Sequence, residues 1–252
     1  MNGVMAMKTS GNTILITGGA TGIGFSLAEA LVNAGNEVVI CGRRKHALKK
    51  AKGKLPQVHT KVCDISRKRS RELLFQWATS NFGSINILVN NAGIQRTIDL
   101  KNGAQDLLAG EDEIEVNLKA YIHLAAYFIP YFLEKAEAAI INVSSGLGFV
   151  PMASVPVYCA TKAAIHSFSL SLRHQLRDTS IRVFEIIPPT VDTELNKEGR
   201  GGRHIGIPPA EVAKATLEAL EKNEFELAVG MAEGLRMGAR KDPEQAFQNI
   251  NR

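Results

Sequence analysis

Tyr158 and Lys162 stand four residues apart, a spacing that puts both side chains on one face of a helix. A phenol with a pKa of about 10 is a weak acid–base catalyst at neutral pH. An ammonium beside it favours the phenolate and lowers that pKa. The pair could then give a proton to a carbonyl oxygen or take one from an alcohol. Ser144 and Ser145, which follow the apolar run AIINV, each carry a hydroxyl able to hydrogen-bond the same oxygen and steady its developing charge. A serine-nucleophile elbow is excluded, because GxSxG needs glycine at 142 or 143 and those residues are Asn142 and Val143. Asn117 lies within GEDEIEVNLKA, a helical stretch where a buried amide must be satisfied.

A second constellation lies near the N-terminus. TILIT runs straight into TGGATGIG at 17–24. Gly18, Gly22 and Gly24 let the chain turn tightly and approach a ligand without a Cβ in the way. The helix that follows, starting near Ile23, points free N–H groups and its positive end at the turn, where a pyrophosphate can sit. The spacing is not GxGxxG, since Leu27 occupies the last glycine position of a frame starting at Gly22, and no Walker A lysine is present.

These residues need a scaffold that brings strand ends together. Short β-branched runs occur at 13–17, 37–41, 58–62, 85–89, 139–143, 181–187 and 225–229, bounded by Gly, Asn, Asp or Pro. Amphipathic stretches at 23–34, 45–52, 66–81, 111–136, 155–178, 209–222 and 241–250 separate or follow them. Strands alternating with helices predict an α/β fold: a doubly wound parallel sheet with helices on both faces. No linker or repeat divides the chain, so 1–252 reads as one domain. From 190 to 209 the periodicity lapses, and EGRGGRHIG at 198–206 reads either as a mobile loop over a site or as a disordered surface loop.

TGGATGIG at 17–24, NNAG at 90–93, Asn117, Ser145 and YCATK at 158–162, in that order, resemble the short-chain dehydrogenase/reductase family, and the likeness runs from about Thr13 to Thr193. The tail from Pro208 resembles a bacterial subgroup of that family, the DltE-like oxidoreductases. The resemblance implies a Rossmann-type sheet of seven strands. It implies an oxidoreductase that interconverts a carbonyl compound and its alcohol by hydride transfer, with Tyr158 as general acid/base. It gives Lys162 a second task on the nicotinamide ribose, and Asn117 a water linking Lys162 to solvent; a purely structural amide is the alternative. Cofactor-binding roles fall on Gly18, Thr21, Gly22, Ile23, Gly24, Arg43, Asp64, Ile65, Asn91, Ala92, Gly93, Pro188, Val191 and Thr193, besides Tyr158 and Lys162. For Asp64 the alternative is an N-cap for the next helix. Pro189 departs from the family pattern, which has glycine there, and puts the local backbone path in question. The position where NAD-using Rossmann sites carry an acidic residue is Gly42, and Arg43 follows it. A guanidinium suits a 2′-phosphate, so NADP(H) is expected over NAD(H), with Arg43 as its main contact and Arg44 as either a helper or a solvated residue. A non-catalytic dinucleotide-sensing regulatory or scaffold protein on the same fold is the alternative function.

Composition narrows the remaining classes. The 252 residues are 45% hydrophobic and 22% charged, an ordinary globular balance. Cys41, Cys63 and Cys159 form no CxxC pair, which speaks for a reducing, cytoplasmic setting. The six histidines form no HxxxH or HExxH pattern, so no metal is expected. The start has no signal-like apolar run. The most apolar stretch, 121–133, contains His123 and Pro130 and falls short of the ~20 residues a membrane span needs. The net charge is +5, and the basic clusters at 43–54 and 67–69 read as a solvated helix face rather than a nucleic-acid surface. The stretches at 111–136 and 155–178 are apolar on more than one face, so a homotetramer or homodimer is expected. The walls around 95–100, 146–155 and 190–209, with Ile94, Leu147, Phe149, Val150, Met152 and Val155, suggest an apolar small-molecule carbonyl substrate.

Overall fold

The computed structural model describes residues 6–195 and 204–252. Seven strands form one parallel sheet: β1 (Thr13–Thr17), β2 (Glu37–Gly42), β3 (His59–Val62), β4 (Ile85–Asn90), β5 (Ala138–Val143), β6 (Ile181–Ile187) and β7 (Glu226–Ala228). Their order is β3-β2-β1-β4-β5-β6-β7. This is the doubly wound, Rossmann-like arrangement expected. The direction of winding reverses between β1 and β4, and a crevice opens there at the carboxyl ends of the strands.

Period-two alternation sorts the core into two layers. From β1, Ile14 and Ile16 face one layer and Leu15 the other. The first layer packs on α1 (Gly22–Asn33), α2 (Lys45–Lys54) and α7 (Pro209–Lys222), through Leu27, Leu31, Leu48, Val212 and Leu220. The second packs on α3 (Lys68–Asn81), α5 (Ala120–Phe132) and α6 (Pro156–Gln175), through Leu74, Leu124, Phe128 and Leu172. β1, β4 and β5 are covered on both faces, which is why their sequences are nearly continuous apolar runs. Arg71 is buried in the second layer, where its guanidinium donates to the carbonyls of Ile65 and Ser66 and so braces the turn after β3.

Three details differ from the sequence expectation. The stretch 111–136 is helical from Glu113 to Phe132, shorter at both ends and with a π turn inside it. A short α4 (Gln105–Leu108) precedes it, Asp112 accepts from the backbone N–H groups of Ile114 and Glu115, and a π-helical turn at Glu115–Lys119 leads into α5. α5 ends at Phe132 and contains Pro130, which leaves the Ala126 carbonyl without its helical N–H partner. The expected helix at 241–250 is α9 (Pro243–Ile250), and a further helix, α8 (Met231–Lys241), precedes it. Gly234 and Gly238 weaken the helical signal of α8, and Asp242 with Pro243 starts α9 afresh by accepting from Gln245 N–H at 3.0 Å. Asp64 is not a helix cap either, since α3 begins at Lys68.

Candidate active site

The glycine turn after β1 has the shape of an anion cradle. Gly18 adopts φ +66°, and a Cβ there would lie 2.8 Å from Ala92 Cα. At Gly24 a Cβ would meet Asn91 Nδ2 and Gly18 O, each at 2.5 Å. The turn is therefore pressed onto the start of the loop after β4, and only glycine fits. Asn91 fixes it from below, donating from its amide to Thr17 O at 2.9 Å; Thr17 Oγ1 accepts from the N–H groups of Asn91 and Ala92. α1 aims its N-terminus at the turn. A cleft of about 380 Å³ opens here, lined by Gly18, Thr21, Gly22, Ile23, Arg43, Arg44, Asp64, Ile65, Asn91, Ala92, Gly93, Tyr158, Lys162, Pro188 and Thr193. Nearly every residue expected to hold a dinucleotide thus meets at one surface. Gly24 and Val191 are absent from that lining: Gly24 acts from beneath the turn, and Val191 lines the neighbouring cavity. Asp64 holds the Ser66 N–H and hydroxyl, and those bonds with Arg67 and Arg43 keep its carboxyl below the usual range against the cost of burial.

Tyr158 and Lys162 lie on the first turns of α6, whose Pro156 sits in its first turn. Lys162 is 3% exposed; its ammonium donates to Val143 O at 2.7 Å and lies 5.6 Å from the Tyr158 ring centroid. Burial pushes its pKa down to about 7, against an opposing pull from Glu185. Ser145 has extended backbone and its Oγ accepts from Leu147 N–H at 3.1 Å, so its own proton is left to donate. Ser144, the alternative, instead spends its hydroxyl on Glu185 Oε1. Asn117 sits in the π turn at Glu115–Lys119, fully buried. Its Oδ1 accepts from Ile94 N–H at 2.9 Å, and its Nδ2 donates to Ile94 O at 2.8 Å and Thr161 Oγ1 at 3.3 Å. The amide thus ties the loop after β4 to α6. Beside the cleft lies a second cavity of about 540 Å³, and Tyr158 lines both.

Residues 12–203 match the family model of the short chain dehydrogenases. The chain belongs to the short-chain dehydrogenase family. It is 49% identical over 97% of its length, and 98% of the relative's, to the uncharacterized oxidoreductase DltE of Bacillus subtilis, which places it in the DltE-like subgroup. It is 33% identical to the uncharacterized oxidoreductase SSP0419 of Staphylococcus saprophyticus, over 82% of this chain and 90% of that one. Among solved structures, a short chain dehydrogenase of Burkholderia cenocepacia in complex with NADP has a TM-score of 0.80 at 28% identity, with 97% of this chain and 99% of that chain covered.

The second cavity of this short-chain dehydrogenase has walls that the sequence revealed only in part. Gln95, Leu147, Met152, Thr190, Val191 and Leu195 come from the segments expected. Met231, Gly234, Leu235, Gly238, Ala246 and Ile250, from α8 and α9, close the far side, and Lys241, Asp242, Gln245 and Asn249 add polar groups to the wall. No motif marks those helices; the only signal was their amphipathic spacing. Phe149 and Val150 are not wall residues: Phe149 packs on the His166 ring at 4.5 Å and Val150 is buried. Ile94 lines the first cleft instead, and Val155 lies in the core cluster beneath Tyr158. At the Pro188–Pro189 step, Pro188 O accepts from Gly146 N–H at 3.0 Å, and Val191 pairs with Ile207 as a parallel bridge. Residues 196–203, with most of the glycine-rich run at 198–206, lie outside the described residues.

Proposed function

We propose that this protein is an NADP(H)-dependent oxidoreductase that interconverts an apolar carbonyl compound and its alcohol, with chain 1–252 acting as one catalytic domain and 190–209 serving as its substrate loop. The observation that carries the reading is the position of Tyr158 as the shared wall of two cavities. Lys162 lies on the cleft side and Ser145 on the other. The cradle fits a dinucleotide: its glycines admit a close phosphate, and basic and acidic side chains line its far end. When bound, the cofactor supplies the hydride. The Ser145 hydroxyl donates to the substrate oxygen and holds it beside Tyr158. Tyr158 gives its proton to that oxygen in reduction and takes it back in oxidation. Lys162, as ammonium, favours the phenolate and replenishes the proton.

NADP(H) is favoured by the end of β2. No atom lies within 4 Å of a Cβ placed on Gly42, so room exists where an acidic residue would otherwise stand. Arg43 pairs with Glu111, and Arg44 with Glu194 at 3.2 Å. Arg44 also reaches Thr21 Oγ1 at 3.3 Å, bringing a cation to a turn position that has none of its own. The mostly apolar wall of the second cavity supports an apolar substrate. A cytoplasmic setting accords with three free, buried cysteines, and the outer faces of α5 and α6 suit a homo-oligomer. No described helix is long and apolar enough to cross a membrane. The test is NADPH oxidation against a panel of aldehydes and ketones of rising apolar size. Turnover that improves with apolar size is expected. NADPH binding without turnover of any carbonyl would instead favour a dinucleotide sensor.

A further inference from the structure

β6 carries a carboxylate where a sheet interior is ordinarily apolar. Glu185 is fully buried at mid-strand, between Phe184 and Ile186. One of its oxygens accepts from Ser144 Oγ at 2.5 Å, and the other meets His166 Nδ1 at 2.8 Å. A buried charge is costly unless paired and hydrogen-bonded, so neither partner is incidental. Their places in the chain matter more. Ser144 stands between Val143, whose carbonyl receives the Lys162 ammonium, and Ser145. His166 lies one helical turn beyond Lys162, as Lys162 lies one turn beyond Tyr158. Glu185 therefore ties the end of β5 to α6 where Ser145, Tyr158 and Lys162 must keep register.

We propose that Glu185 is a positioning residue: its carboxylate, oriented by His166, is the buried counter-charge of the Lys162 ammonium and fixes the Ser144–Ser145 turn. The inference rests on Tyr158 and Lys162 being the acid–base pair. Lys162 is flanked by the Tyr121 and Tyr158 rings, and among the described residues the charge that favours its protonated form is that of Glu185. His166 faces Glu185 from β6, Glu226 from β7 and Arg173 on its own helix; Arg173 holds Glu226 at 2.8 Å and Arg236 of α8 approaches Glu226 at 3.6 Å. Its hydrogen bond to Glu185 holds the imidazole above its ordinary range, and 22% of its side chain reaches solvent. The imidazolium thus offsets part of the carboxylate's charge.

Two substitutions should then move Lys162 in opposite directions. Glu185→Gln keeps a hydrogen-bonding side chain and removes the negative charge, so Lys162 loses its proton at lower pH. His166→Asn keeps a nearby donor and removes the offsetting positive charge, so Lys162 keeps its proton to higher pH. The measurement is the titration of Lys162 by NMR, using ¹³C-labelled lysine in the full chain without cofactor, with the resonance assigned by its loss in Lys162→Arg. Shifts of about half to one pH unit, downward and upward respectively, are expected. The basic limb of NADPH-driven carbonyl reduction should move the same way. A titration unmoved in both folded variants, or moved in one common direction, overturns the proposal, because a merely structural role predicts no opposed pair. Should Glu185→Gln fail to fold, His166→Asn decides alone, and an unmoved titration there overturns it. The NMR arm needs no turnover, so failure of the enzymatic reading would show separately, as wild-type protein that reduces no carbonyl.

Discussion

Two tyrosines flank Lys162 at nearly the same distance, 5.5 Å for Tyr121 and 5.6 Å for Tyr158, yet only Tyr158 reaches the two cavities. Tyr121 is wholly buried, donates to Ala92 O, and has its pKa pushed well above 10 by that burial. Tyr158 lines both cavities. Tyr158→Phe should lower kcat by ~10²–10⁴-fold while NADPH binding, followed by fluorescence, stays nearly intact, since ring and packing remain. A variant keeping more than about a tenth of the rate would remove Tyr158 from the role. Lys162 makes a second prediction. Its folded pKa of about 7 lies below its ordinary value of 10.5. Between those pH values the unfolded chain binds a proton that the folded chain lacks, so this residue's contribution to stability rises with pH across the window and falls away below it. Lys162→Met should accordingly melt above the wild type near pH 7, with the gap narrowing toward pH 10; a constant gap would contradict the burial argument. Arg43→Ala should reduce the NADPH-to-NADH ratio of kcat/KM by about 10–150-fold, the worth of a charge-assisted bond. A wild-type preference for NADH, or a ratio unmoved by the substitution, would assign the 2′-phosphate elsewhere.

At the scale of elements, the site is made by chain segments whose ends are forced together. The π turn at Glu115–Lys119 is one case: the wider turn places Asn117 against both Ile94 and Thr161. Such turns recur at functional sites because the extra residue re-aims a side chain. The α8–α9 wall is another. Asn251, just past α9, accepts from Ala153 N–H at 2.6 Å and donates to Pro151 O at 3.0 Å. Those bonds fasten the wall to the loop between Ser145 and Tyr158. Asn251→Ala should raise KM for an apolar carbonyl by about 3–10-fold with a smaller change in kcat, as expected for the loss of about one hydrogen bond remote from the reacting atoms. Loss of kcat alone would place Asn251 in the chemistry rather than the wall.

For the molecule as a whole, the outward face of α6 is informative. Ala160, Ala163, Ser167 and Leu170 are exposed along it, where an ordinary surface helix would carry Lys or Glu. α5 adds exposed Ala126, Pro130 and Leu133. Small residues let a helix approach a second copy closely, and a two-fold axis makes such a face self-complementary. Light scattering at micromolar concentration should therefore report a dimer or tetramer. Ala163→Arg should shift it toward monomer; a monomeric wild type would leave these faces without a partner.

The strands, most of the helices and the Tyr158–Lys162 pair were legible in the sequence because each rests on local physics, whereas Ser145 was preferred to Ser144 only on the family resemblance. Period-two runs make strands, an i, i+4 spacing makes a face, and glycine marks a backbone that must turn or touch. β6 emerged with the expected ends, 181–187, for that reason. The π turn and the separate α8 were not legible, because they depend on which bonds the surrounding chain leaves open. The difference between Ser145 and Ser144 likewise shows only in three dimensions. Both follow the same strand, and only the presence of Glu185 across the β5–β6 pair diverts Ser144. The buried cluster of Glu185 and His166 joins residues 19 apart that no spacing rule connects. Local sequence determined which groups could react; tertiary structure decided which of them face a cavity and which charges stand behind them, because burial and field depend on the whole fold.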